Sequence, residues 1–219
     1  MGFKNIAYTT EYRNRNEAFD YLFEDTFLVE THEHVFADGR WRVVCVDYFD
    51  EFAPLALGVQ CLKVYDQENQ LIFEQKCYYD ARSPVYILHA NGMEYMLFWL
   101  DLYGYSILNL TTLTAYHYVP EAVLTGDETF IWTDVVYSGT DKIAVEGCYW
   151  ACNHEFEIYD FSEPENLPYK LLVKHEDLEA RYDNWLEPVG WLTPNEYAYK
   201  EHVSKNKNGI KILEKFITF

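Results

Sequence analysis

One pattern constrains this chain more than any other feature: short strand-like segments, parted by turn-forming pairs, recur in four successive passes. The first pass takes in residues 27–36, 41–49, 59–66 and 70–76, with Asp38-Gly39 between the first two segments. The second covers 84–90, 93–100, 105–110 and 114–119, and turns at Asn91-Gly92. The third covers 130–138, 142–150, 154–160 and 169–174, and turns at Gly139. The fourth has 186–192, a turn at Pro194-Asn195, then 196–203 and 210–219. Asn-Gly and Asp-Gly pairs tolerate the positive φ that a tight hairpin demands, so each predicts a reversal between antiparallel strands. An aspartate leads each pass, Asp25, Asp80, Asp127 and Asp183, at spacings of 55, 47 and 56 residues.

A period near 50 residues with four strands per period predicts one all-β domain spanning residues 1–219, a small β-propeller of four blades with mostly four strands each. The fourth pass runs out after a third, extended strand. Residues 3–10 are strand-like, so the N-terminal strand is expected to pair with the C-terminal blade that ends at Phe219, closing the ring and covering an edge. Five shorter blades also fit the length, and a β-sandwich meander would show similar strand spacing. Residues 14–22 and 174–182 carry the few helical signals. The 20 Tyr, 14 Phe and 6 Trp suit half-buried pleated surfaces and argue against disorder.

The repeats resemble divergent members of the WD40/kelch-type propeller class. The carriers are the third-strand ends Val64-Tyr65-Asp66 and Ile158-Tyr159-Asp160, together with the turn pairs. No Trp-Asp dipeptide ends a repeat and no Gly-His opens one. The stretch 146–164 resembles a small bacterial family with no assigned activity. The resemblance implies a fold, and propellers serve as enzymes, lectins and scaffolds alike.

Seventeen basic residues stand against 36 acidic ones, a formal charge of −19. Nucleic acid and anionic membrane both need Lys and Arg to displace counterions, so neither is an expected partner. A basic protein or peptide is. The same charge also serves plain solubility. Five cysteines, an odd number, with no apolar leader in residues 1–15 predict free thiols and a cytoplasmic location. No apolar run reaches the ~20 residues that a bilayer requires. The chain has neither a Gly-rich phosphate loop nor a Gly-x-Ser-x-Gly elbow, and no cofactor is expected.

Four groups of residues are candidates for chemistry. Asp25, Asp80, Asp127 and Asp183 would line one rim of a propeller channel and meet a cation or basic peptide; equally, each could cap a turn before its strand. His32 and His34, two apart on a strand, share a face and suit a metal if a third ligand exists. Cys148, Cys152 and His154 have zinc-compatible spacing but no second pair, and the thiols also suit a core. Trp132, Asp134, Tyr149, Trp150, Trp185, Glu187 and Trp191 supply aromatic rings and carboxylates, the materials of sugar binding and of glycoside hydrolysis, and also of a core. The binding residues favoured among these are the four aspartates with Trp132, Asp134 and Trp185. The expectation that follows is a non-enzymatic interaction protein for a basic partner, such as an immunity-type inhibitor. The alternative is a carbohydrate-binding module or glycoside hydrolase, and behind it a metal-dependent enzyme using His32 and His34.

Overall fold

A computed structural model of the chain describes residues 4–52, 58–78, 82–149, 155–174, 184–204 and 210–219. The chain is all-β, and its described residues form 15 strands in four antiparallel sheets, each following chain order. The first holds β1 (Leu28–Phe36), β2 (Trp41–Phe49), β3 (Gly58–Tyr65) and β4 (Leu71–Tyr78). The second holds β5 (Val85–Leu88), β6 (Glu94–Trp99), β7 (Tyr105–Asn109) and β8 (Thr114–Tyr118). The third holds β9 (Ile131–Tyr137), β10 (Lys142–Cys148), β11 (Glu155–Asp160) and β12 (Leu171–Val173). The fourth has three strands, β13 (Asn184–Thr193), β14 (Glu196–Ser204) and β15 (Ile210–Thr218). Each sheet therefore corresponds to one pass of the sequence pattern.

Turn chemistry sets these hairpins locally. Between β1 and β2, Ala37, Asp38 and Gly39 all take positive φ, which glycine and aspartate accept more readily than most residues. Between β5 and β6 the Asn91 side chain accepts from the Met93 N–H while Gly92 takes φ 83°. In β2 the inward residues Val43 and Cys45 are fully covered while their neighbours are partly exposed, the period of two that a one-sided strand requires. Every residue of β6 and β7 is buried, as befits strands covered on both faces.

The chain divides into two compact units, residues 1–86 with 94–126, and 87–93 with 127–219. In the first, Val43, Cys45, Leu62, Val64 and Cys77 of the first sheet pack with Met96, Phe98 and Leu108 of β6 and β7. In the second, Ala144, Phe156 and Ile158 pack with Leu186, Tyr197 and Tyr199.

The N-terminal segment does not join β15. Asn5 bridges Pro120, the Ile6 N–H donates to the Val119 carbonyl at 2.9 Å, and the Asn5 side chain donates to the His117 carbonyl. From Thr10 the chain is helical (α1, Thr10–Glu17), with Thr9 as N-cap accepting from the Tyr12 N–H. Ile6 and Tyr12 are buried with Leu100 and Val119. Apolar side chains in this stretch thus find a core of their own inside the first unit, and the expected closure of the C-terminal blade by residues 3–10 is corrected. The helical signal at 14–22 is met by the end of α1 and a short 3₁₀ turn at Asp20–Phe23. The one at 174–182 lies, apart from Lys174, outside the described residues. A second short helix, α2 (Ala122–Thr125), ends on left-handed Gly126. No helix among the described residues is long and apolar enough to cross a membrane.

Candidate functional site

The first sheet builds a polar pocket on the face it shares with its core. Side chains two apart on a strand point the same way, and residues in register on neighbouring strands do too. His32 and His34 of β1 therefore lie on one face, with Cys45 in register with His32 and Gln60 of β3 in register with Asp47 of β2. These five residues line a pocket of about 130 Å³, completed by Arg82 and Ser83 from the segment after β4. The Gln60 amide donates to Asp47 Oδ1 at 2.8 Å. His32 Nε2 stands 3.3 Å from Asp47 Oδ2 and 3.5 Å from Glu30 Oε2. His34 Nε2 is buried and has no hydrogen-bond partner among the described residues.

The chemistry open to this pocket is narrow. Burial, then the nearby Asp47 charge, pushes the Cys45 thiol up to about 12, so it is a neutral thiol at physiological pH and not an attacking thiolate. Among the described residues no three His, Cys, Asp or Glu side chains are placed to hold a metal ion, so the His32/His34 pair gains no third ligand there. Cys152 and His154 lie outside the described residues; Cys148 is a half-buried free thiol.

The leading aspartates share a place in the chain. Each precedes the first strand of a sheet. Asp25 opens a one-turn 3₁₀ helix before β1, and Asp127 lies between Gly126 and β9; both are exposed. Asp80 and Asp183 lie outside the described residues.

The aromatic candidates separate by burial. Trp132 is 4% exposed, its ring 4.9 Å from that of Tyr159 and 6.4 Å from that of Tyr169, so it is a core residue and not a solvent-facing platform. Glu157, also buried, accepts from the hydroxyls of Tyr149 and Tyr159. Asp134 is exposed and accepts from the Val135 N–H at the bulge where β9 meets β10. Trp191 donates its indole N–H to the Val136 carbonyl. Trp150 is outside the described residues. Trp185, 37% exposed, stacks on His202 at 4.3 Å and 12°. Beside it Glu187 sits 2.6 Å from both Lys200 Nζ and His202 Nε2. Hydrogen bonds from Lys200 and then His202 hold the Glu187 carboxyl below its usual range, which suits an ion pair and not a general acid.

Sequence reasoning found His32, His34 and the Trp185–Glu187 pair. It missed Asp47, Gln60, Arg82 and Ser83, whose approach to the histidines depends on strand register. It missed His202 as the partner of Trp185 for the same reason. No family model matches the chain, and no curated protein matches it.

Proposed function

We propose that this chain is a non-enzymatic interaction protein whose partner is a basic protein or peptide, the sharper form being an immunity-type inhibitor. We propose with it a four-bladed propeller, three blades of four strands and one of three. The observation that carries the function is the charge of −19 on 219 residues. Such a field speeds encounter with a cationic surface and disfavours wrong partners. Exposed carboxylates cluster where the first sheet begins, at Glu24, Asp25 and Glu30. The four sequential meanders, one per repeat, support the propeller reading.

Retention of proteins from a native lysate on the immobilised chain tests the function. The captured proteins are expected to be basic and to leave when salt rises from about 0.1 M to about 1 M, where the screening length falls from ~10 Å to ~3 Å. Partners that are acidic, or whose capture ignores salt, would overturn the reading. An experimental structure with the four sheets stacked in two layers would overturn the propeller.

The sugar reading has less support. It needs an exposed ring beside two facing carboxylates. Trp132 is core, and the one carboxylate named beside Trp185 is engaged by Lys200 and His202.

A further inference from the structure

We infer that the pocket on the first sheet receives a protonated amine or guanidinium group. Three of the lining side chains offer acceptor atoms: Asp47 Oδ2, Gln60 Oε1 and His34 Nε2. Asp47 has one oxygen fixed by the Gln60 amide at 2.8 Å, while among the described residues Oδ2 meets only the looser contact of His32 at 3.3 Å. That contact is within ion-pair reach but is not a hydrogen bond of good geometry. His32 is divided between Asp47 and Glu30, and its side chain is 47% exposed, so it can swing aside. The Asp47 side chain is only 13% exposed, which strengthens its charge towards an incoming cation. Gln60 spends its amide nitrogen on Asp47 and keeps its carbonyl oxygen as an acceptor. With its proton on Nδ1, His34 offers a buried lone pair at Nε2 that has no partner among the described residues. A buried polar atom left unpaired in this way is a standing cost that a ligand donor removes.

Charge chooses cation over anion. Asp47 in the lining and Glu30, against His32 at its edge, carry two negative charges against the one positive charge of Arg82, and the Cys45 thiol stays neutral. The positive group lining the pocket, Arg82, has its guanidinium carbon 5.8 Å from the centroid of the Trp99 ring. The surrounding chain, at −19, adds to the same sign. Size limits the ligand to a compact group: about 130 Å³ holds several times the ~10–15 Å³ that one water needs, and no large ring system. An ammonium or guanidinium on a short stem meets these demands, its N–H groups donating to Asp47 Oδ2, Gln60 Oε1 and His34 Nε2. The group comes either from a free small amine or from a Lys or Arg of a protein partner, and the second source rests on the function proposed above.

Titration of the whole chain with methylguanidinium and with butylammonium, followed on the imidazole resonances of His32 and His34, tests the site. Saturable shifts of both histidines are expected. Asp47→Asn should weaken binding about tenfold or more, the loss of one charge-assisted hydrogen bond. Glu30→Gln, at the exposed rim where folding is not at stake, should weaken it by a smaller factor. A short Arg-containing basic peptide that binds more tightly than methylguanidinium assigns the site to a protein partner; a free amine that binds more tightly than the peptide assigns it to a metabolite. Shifts that do not saturate, or an Asp47→Asn protein that titrates like the parent, overturn the site. If salt-sensitive capture of basic proteins persists in that case, the pocket fails alone and the interaction reading stands.

Discussion

The Tyr12 hydroxyl donates to the Asp101 carboxylate at 2.6 Å, and both side chains are buried. The other carboxylate oxygen accepts from the Tyr103 N–H at 3.0 Å and the Gly104 N–H at 2.6 Å. The pair ties α1 to the loop between β6 and β7, and so fixes the N-terminal segment inside the first unit. Tyr12→Phe removes the one side-chain donor and strands a buried oxygen. A loss of about 1.5–3 kcal/mol is expected from denaturant unfolding. A variant as stable as the parent would show that the contact carries no net stabilisation.

Asp101 also sets a pH dependence. Burial pushes its carboxyl above the ordinary range, and the hydrogen bonds from Tyr12, Gly104 and Tyr103 only partly offset this. The folded chain therefore holds the proton more tightly than the unfolded one. The group's contribution is complete below the unfolded pKa of about 3.9 and is lost as pH rises through the raised folded value. Relative to the parent, Asp101→Asn should gain stability as pH climbs from about 4 to 7. A constant difference across that range would contradict the assignment.

The buried thiols act at the other end of the pH scale. Burial first, then nearby carboxylates, pushes Cys61 up to about 11 and Cys45 up to about 12. Unfolded thiols titrate near 8.5, so stability should fall as pH rises from there through the folded values. Cys45→Ser should flatten part of that decline. Native protein should also react slowly with a thiol reagent at neutral pH at Cys45, Cys61 and Cys77, and rapidly once unfolded.

Gly147 is required by contact, not by backbone angle. It faces Trp132 beside the bulge between β9 and β10, and a Cβ there would collide with the Ile131 carbonyl oxygen and come within 2.8 Å of Phe130 Cε1. Gly147→Ala should lower stability by about 1–3 kcal/mol through overpacking. Thermal unfolding at the parent's midpoint would refute this.

Truncations should separate core from surface. Leu62 is 0% exposed and Phe52 is 86% exposed. Leu62→Ala should lose about 2–5 kcal/mol and Phe52→Ala no more than about 0.5 kcal/mol in the same unfolding assay.

Much of the fold was legible because local rules govern it. Alternation and turn pairs located the strand segments, and Asn91-Gly92 and Asp38-Gly39 sit where the hairpins turn. The three-stranded last sheet was legible too, since the fourth pass offers three apolar runs. The fate of residues 3–10 was not. A strand-like stretch pairs wherever an edge and a core await it, and here Asn5 and Ile6 pair with Pro120 and Val119.

The candidate site divides along the same line. Chain spacing alone put His32 and His34 on one face, because the side-chain period of a strand is two and needs no knowledge of neighbours. Register brought Asp47 and Gln60 beside them, and Arg82 and Ser83, which lie before β5, complete the lining. Likewise, composition determined the acidic field, while burial decided that Trp132 packs inward and Trp185 reaches solvent. The sequence by itself determines what depends on neighbours along the chain: strand, turn, face and net charge. Which side chains meet across strands, and which carboxylates lose their water, depends on contacts between distant residues, and only the tertiary structure decides those.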